Sequence, residues 1–215
     1  MPLTPLYEDD ALLVFDKPAG LLSVPGRGAD KQDSLAWRAQ QHWSDAMVVH
    51  RLDMATSGLM LMARGAQAQR RLNLAFEQRE VHKRYEAVVD GLIQVHGNAL
   101  EGWGVIDLPI IVDWPNRPLR IINEALGKPS VTRWRVIAHD EAARSTRVEL
   151  EPVTGRSHQL RVHLKALGHT ILGDALYADA RIQASAPRLL LHARTLTLAH
   201  PFSSEPMTFE SPTPF

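Results

Sequence analysis

The sequence predicts an α+β fold, a long mixed and mostly antiparallel β-sheet flanked by helices and loops, in a single domain over residues 1–215. Three observations predict it. Short apolar runs bounded by glycine, proline or polar turn residues recur along the chain, which is the pattern of strands. These runs outnumber the segments with helical spacing, and several follow one another with no helix between them. A doubly wound fold would instead alternate strand and helix.

In chain order, the run at 12–15 ends at Lys17-Pro18-Ala19-Gly20 and reads as a strand entering a turn. Ser34 is placed to cap a helix through residue 43. Residues 47–52 and 58–63 read as two strands bracketing a loop around Asp53. Leu72 and Phe76 lie four apart in a helix over 65–80, which also carries Arg70, Arg71 and Arg79. A strand follows at 84–89. The proline-rich segment 107–130 (Pro109, Pro115, Pro118, Pro129) reads as an extended covering loop. Strands are expected at 131–138 and 146–150, a helix at 158–167, and further strands at 189–192, 195–198 and 207–209.

The chain carries 22% charged and 45% hydrophobic residues and no cysteine. That removes disulfides, thiolate zinc sites and cysteine nucleophiles, and fits a reducing compartment. The first residues, Met1-Pro2-Leu3-Thr4-Pro5, have neither the basic nor the apolar region of a secretory signal. No run approaches the length of a membrane span, so a cytoplasmic location and no membrane partner are expected. Net charge is zero, yet residues 51–84 sum to +4 and residues 128–165 to +4, against −4 for 85–127. Phosphates respond to local charge within about 8–10 Å, so two basic stretches matter more to a polyanion than the total does.

The run His50-Arg51-Leu52-Asp53, followed by Met54-Ala55-Thr56-Ser57-Gly58, sets a carboxylate beside a cation on a sharp turn. Such a carboxylate can stay ionised and serve as a nucleophile or base; on these residues alone, an Asp that caps the turn is the more common case. In the proposed 158–167 helix, Leu160, Leu164 and Leu167 share one face, while His158, Arg161 and Lys165 lie roughly 120° away. The leucines are expected to pack inward, with Arg161 presented to a cleft where it could hold a carboxylate. His158 and His163 are five apart and do not share a face, so no metal site is expected.

Taken together the motifs resemble the RluA-type pseudouridine synthases. The resemblance rests on six separated motifs in order: Lys17-Pro18-Ala19-Gly20-Leu21, His50-Arg51-Leu52-Asp53 with Thr56-Ser57-Gly58, Lys83-Arg84-Tyr85, Thr154-Gly155-Arg156-Ser157-His158-Gln159-Leu160-Arg161, Gly168-His169 with Ile171-Leu172-Gly173-Asp174, and Leu189-Leu190-Leu191-His192-Ala193. His50 before Arg-Leu-Asp, where a sister family has Gly, points to this type. Asp107-Leu108-Pro109 and Asp113-Trp114-Pro115-Asn116-Arg117-Pro118 resemble the subgroup that acts on both rRNA and tRNA.

The resemblance implies a single catalytic domain of the pseudouridine synthase fold, with no separate N-terminal RNA-binding domain, that isomerises a uridine in structured RNA. It implies that Asp53 is the catalytic aspartate, acting at the ribose C1′, at the base C6 or as a base, that Tyr85 stacks on the target base, and that Arg161 pairs with Asp53. It further implies that Arg51 fills the gap left when the uridine flips out, that Leu191 floors the base pocket and that Lys17 lies near or supports it. His50 and Arg84 fall among the RNA- or substrate-binding residues. No cofactor is implied, because one glycosidic bond replaces another without redox change. The partner is RNA, 23S rRNA or a tRNA anticodon arm, and the protein is expected to act as a monomer. Residues 119–126 match no motif.

Two other classes compete. A catalytically silent RNA-binding module would not need Asp53, Tyr85 and Arg161 together. A glycosidase using an Asp nucleophile would need a second positioned carboxylate, and none stands near Asp53 in sequence.

Overall fold

A computed structural model describes residues 3–94 and 102–215. In chain order the elements are β1 (Tyr7–Glu8), β2 (Leu12–Lys17), α1 (Leu35–Gln40), β3 (Ala46–Val48), β4 (Ser57–Arg64), α2 (Gly65–Glu77), β5 (His82–Asp90) and β6 (Gly104–Asp107). They continue with β7 (Ile110–Val112), β8 (Arg120–Ile122), β9 (Val131–Asp140), β10 (Ser145–Pro152), α3 (Gln159–Ala166), α4 (Ala180–Ala184), β11 (Leu191–Ala199) and β12 (Pro206–Glu210). The chain forms two compact units, one of Met1–Lys83 with His192–Pro214 and one of Arg84–Leu191 with Phe215. Strands predominate over helices and all but one of the strand pairings below are antiparallel, so the α+β mixed-sheet expectation is borne out.

The first unit is built around β4, whose residues 57–63 are all buried. Being covered on both faces, it reads as a continuous apolar run and not as an alternation. β2 lies antiparallel along one edge, from Leu12 opposite Ala63 to Lys17 opposite Gly58, with β1 outside it. The other edge is shared by β3, antiparallel, and by β11, parallel through His192 with Ser57 and Ala193 with Gly58. β12 flanks β11. Leu12 and Val14 of β2 join Leu59, Leu61, Ala68, Leu72 and Leu196 in one core, while Phe15, on the other face, meets the edge of Trp43 at 5.8 Å.

β3 stops at Val48 although the apolar run predicts a strand through residue 52. The ladder ends because the next inward donor, the Leu61 amide, is taken by the His50 Nε2 at 2.8 Å. Ser34 caps α1 as expected, its hydroxyl accepting from the Trp37 amide, but the helix ends at Gln40. α2 ends at Glu77, and the two strands expected at 189–192 and 195–198 are one, β11.

The second unit orders β5, β10, β9 and β6 in antiparallel succession, with a bulge in β10 between Arg147 and Val148. Residues 107–130 are not an extended loop. They contain the end of β6 and a hairpin, β7 against β8, with Ile110, Ile111 and Val112 opposite Ile122, Ile121 and Arg120. β-branched residues at these positions favour the pleated backbone, and the prolines fall outside the paired residues. The hairpin rests on α3 through Ile110, Leu119, Ile122, Val162 and Tyr177.

α3 departs from the expected division into an apolar and a basic face. Gln159, Leu160, Arg161, Val162, His163 and Leu164 are all buried, and Leu167 is exposed. The interior side of this helix is held by polar bonds. Gln159 Nε2 donates to the Val131 carbonyl and to Thr132 Oγ1, while its Oε1 accepts from Thr154 Oγ1. His163 shares hydrogen bonds with Thr132 Oγ1 and the Leu108 carbonyl, and burial lowers its pKa. Thr154, Gln159 and His163 therefore fix α3 on β9, and Arg161 travels with it.

Candidate active site

The Asp53 loop is clamped on both sides of the aspartate. Before it, Ser23 Oγ donates to the Leu52 carbonyl at 2.6 Å and accepts from the Leu52 amide at 3.0 Å. After it, the Met54 carbonyl accepts from the Gly20 amide at 2.8 Å and from Lys17 Nζ at 3.2 Å. Lys17 is fully buried and also donates to the Pro18 and Leu21 carbonyls, at 2.9 and 2.8 Å. One ammonium thus fastens the Lys17–Leu21 turn to the loop that carries Asp53. The Asp53 carbonyl closes the turn by accepting from the Thr56 amide, and Thr56 is buried below it. The Asp53 side chain is half-buried, while Arg51 and Met54 on either side are exposed.

Lys17→Met, of similar length and without donors, should destabilise the protein by about 2–3 kcal/mol through the carbonyls it orphans. It should lower turnover further, because the carboxylate's support is lost. Chemical denaturation beside initial rates checks both; an unchanged unfolding midpoint would contradict this role.

The strand that leaves the loop is anchored just as closely. Ser57 Oγ bonds His192 Nδ1 at 2.9 Å, His192 Nε2 bonds Ser211 Oγ at 3.0 Å, and Ser211 Oγ donates to Asp16 at 2.7 Å. Gly58 is required there. Its φ is 109°, and a Cβ would stand 2.3 Å from the Ala193 carbonyl oxygen across the parallel pair. The Leu189–Ala193 motif therefore seats the Asp53 turn through its histidine and alanine, while Leu191 itself is buried at the start of β11.

His50 faces inward. Its ring stacks on Phe76 with centroids 4.9 Å apart, and its Nε2 accepts the Leu61 amide, which requires a neutral imidazole. Burial, reinforced by the charge of Lys83, pushes its pKa down to about 3. Lys83 lies over the same Phe76 ring, and burial lowers its pKa as well. The unfolded chain binds a proton at His50 below about pH 6.5 that the folded chain refuses until about 3. The stabilising neutral state is therefore fully present above 6.5 and lost as pH falls. Between pH 7.5 and 5 the wild type should lose about 2 kcal/mol more stability than His50→Gln, which accepts the same amide without titrating. Urea unfolding at the two pH values measures the difference, and equal losses would contradict it.

In the second unit, Tyr85 lies half-buried on β5 opposite Leu150 of β10. Successive strand residues point to opposite faces, so Arg84 lies on the face away from Tyr85. There Arg84 reaches Glu149 at 3.4 Å and lies 5.7 Å from the Trp103 ring centroid, with Arg133 and Arg135 over the same ring.

Arg161 is the residue whose surroundings the sequence foretold least. Its guanidinium is buried and grips Asp174 in a fork: Nε donates to Oδ2 at 2.8 Å and Nη2 to Oδ1 at 2.6 Å. Asp174 is wholly buried and also accepts the Leu176 and Tyr177 amides. The Tyr177 ring centroid lies 5.0 Å from the guanidinium carbon, and the Tyr177 hydroxyl bonds His158 Nδ1 and the Arg120 amide. The Ile171-Leu172-Gly173-Asp174 motif alone gives Asp174 no role. The available signal was a lone carboxylate in the apolar stretch from Ile171 to Tyr177, which folding does not bury without a cation. Among the described residues, no three His, Cys, Asp or Glu groups are gathered as metal ligands.

The first unit thus holds a carboxylate on a doubly clamped turn, and the second holds a half-buried tyrosine on a strand and a buried arginine oriented by its own carboxylate. The family model for RNA pseudouridylate synthase matches residues 11–166, and the chain belongs to that family, isomerases that convert uridine to pseudouridine in RNA. The Escherichia coli O6:H1 protein named dual-specificity RNA pseudouridine synthase RluA is 48% identical over 213 residues, covering 99% of this chain and 94% of its own. The protein of the same name from Haemophilus ducreyi is 46% identical, covering 98% and 95%. Among solved structures, human RNA pseudouridylate synthase domain containing 1 aligns with a TM-score of 0.79 at 29% identity, covering 99% of this chain and 84% of its own. Human RNA pseudouridylate synthase domain containing 4 aligns at 0.75 and 27%, covering 98% and 88%. The RluA-type resemblance and the fold it implied are borne out.

Proposed function

We propose that the protein isomerises a specific uridine in a structured stem-loop, in 23S rRNA, in the anticodon arm of tRNA or in both, and that Asp53 is the catalytic residue. The observation that carries this is the Asp53 loop itself, held at Leu52 by Ser23 and at Met54 by Lys17 and Gly20. Preorganisation of that kind is what a reacting carboxylate needs.

The uridine leaves the RNA stack before the chemistry, since the base turns within the protein and not within the helix. The C1′–N1 bond breaks with the help of Asp53, the uracil rotates and a C1′–C5 bond forms. The C5 proton then passes to solvent and N1 takes up a proton, so atoms and charge balance without a cofactor. Tyr85 stacks on the uracil. Arg161, oriented by Asp174, pairs with the Asp53 carboxylate, and Leu191 lines the base pocket. Arg51, exposed next to Asp53, occupies the gap in the RNA stack, and Arg84 contributes to RNA binding. His50 and Lys17 act as positioning residues for the loop. The family match runs through both units, which supports treating them as one catalytic domain. We take the enzyme to act as a monomer in the cytoplasm.

The test is release of tritium from tRNA and 23S rRNA fragments carrying [5-³H]uridine. Release at one site in at least one RNA is the expected result. Tight binding of both RNAs with no release from either would contradict the proposal.

A further inference from the structure

The hairpin formed by β7 and β8 ends in Asp113-Trp114-Pro115-Asn116-Arg117-Pro118, a stretch for which the chemistry at Asp53 has no use. Trp114 is 65% exposed. The hairpin does not depend on it for anchorage, since Ile110, Leu119 and Ile122 already pack on Val162 and Tyr177. The Arg117 guanidinium carbon lies 3.4 Å from the Trp114 ring centroid, stacked on one face of the indole. Arg117 is exposed and makes no ion pair among the described residues.

The tip is rigid. The Asp113 amide donates to the Leu119 carbonyl at 3.0 Å, the Leu119 amide to the Asn116 carbonyl at 3.0 Å and the Asn116 amide to the Asp113 carbonyl at 3.2 Å. Asn116 Nδ2 donates to the Asp113 carboxylate, the tip's one acidic side chain. The base of the hairpin is tied by the Arg120 amide to the hydroxyl of Tyr177, whose ring lies beside Arg161. A large aromatic face and an unneutralised guanidinium are therefore held out in water on a fixed frame. A core tryptophan would be covered, and a cation kept for solubility would not be laid flat on an indole.

We propose that Trp114 and Arg117 form a nucleotide-binding site for the substrate RNA, distinct from the residues that take the target uridine. An unpaired base stacks on the indole, and Arg117 contacts the adjoining phosphate. The inference rests on the reading of the chain as an RNA-modifying enzyme and deepens it, because it assigns recognition of the RNA outside the target base to this hairpin. Stacking of this kind tolerates any base, since each has a π-face. The site therefore selects for an unpaired, splayed nucleotide and not for a sequence. Ile121 and Leu126, 42% and 72% exposed on the same segment, would favour a protein partner if the cation were absent. Arg117 decides for the polyanion.

The experiment compares wild type, Trp114→Ala, Trp114→Phe, Arg117→Ala and Arg117→Lys on a tRNA anticodon stem-loop and a 23S rRNA hairpin. Dissociation constants come from anisotropy of end-labelled RNA, and KM and kcat from tritium release. Trp114→Ala should raise Kd and KM about tenfold, within the range that loss of one base stack produces, with kcat within about twofold. Trp114→Phe should recover most of the affinity. Arg117→Ala should weaken binding and reduce the slope of log K against log salt by about one, and Arg117→Lys should restore that slope. Unchanged Kd in both alanine variants overturns the proposal. So does a fall in kcat and melting temperature with Kd unchanged, which marks a structural role. Self-association in sedimentation that Trp114→Ala abolishes while RNA affinity stays constant also overturns it, in favour of a second copy of the chain. Because Kd is read without turnover, a wild type that binds but never releases tritium defeats the catalytic reading and still decides this one.

Discussion

Asp53→Asn should lower the rate of pseudouridine formation by at least about 10³-fold, the scale seen when a reacting group is removed. The amide has the same shape as the carboxylate, and the turn is closed by the backbone, through the Asp53 carbonyl and the Thr56 amide. Leu52 and Met54 keep their clamps to Ser23, Gly20 and Lys17. Melting temperature should therefore stay within a few degrees, and RNA should still bind, since Arg51 and both basic stretches are unchanged. Single-turnover assays at saturating enzyme isolate the chemical step. A residual rate within tenfold of wild type would remove Asp53 from the chemistry.

Asp174→Ala should be the most damaging change to the fold of those considered. The buried Arg161 guanidinium would lose both arms of its fork, and the Leu176 and Tyr177 amides would lose their acceptor. Removing one partner of a buried pair costs about 3–5 kcal/mol, a large share of the stability of a domain this size. Arg161 would also lose its orientation, so turnover should fall at least about a hundredfold even at a temperature where the variant is folded. Arg161→Lys keeps the charge but cannot grip a carboxylate with two arms. It should therefore lose activity with a smaller stability cost while still binding RNA. Guanidinium unfolding curves with parallel rate measurements separate the two losses. Wild-type stability in Asp174→Ala would contradict the reading of this pair.

The parts of the site that were legible in the sequence are those whose meaning is local. Asp53, the hydroxyls of Thr56 and Ser57 and the Gly58 turn sit within six residues, and the apolar strands on either side are continuous in the chain. The sequence pattern gives a helical arginine a carboxylate to hold, and it does not show that Asp174, thirteen residues on, orients that arginine. The contents of α3 were misjudged for a related reason. Spacing sorts residues into faces but does not reveal that Gln159 and His163 find polar partners inside, at Val131, Thr132 and Leu108. The motif places His50 three residues before Asp53. Its inward bond to Leu61, eleven residues away, depends on how β3 leaves β4, which no local pattern encodes. The hairpin at 110–122 was legible in part: Ile110-Ile111-Val112 and Arg120-Ile121-Ile122 are β-forming runs, and the surrounding prolines outweighed them.

The central claim is that this chain makes pseudouridine with the carboxylate of Asp53, and mapping modified positions in cells tests it most directly. Pseudouridines in 23S rRNA and tRNA are located in cells lacking the gene, then in the same cells supplied with wild type or with Asp53→Asn at equal abundance. The account predicts that at least one pseudouridine disappears on deletion, returns with wild type and stays absent with Asp53→Asn. Restoration of that position by Asp53→Asn, or an unchanged map on deletion, would contradict it.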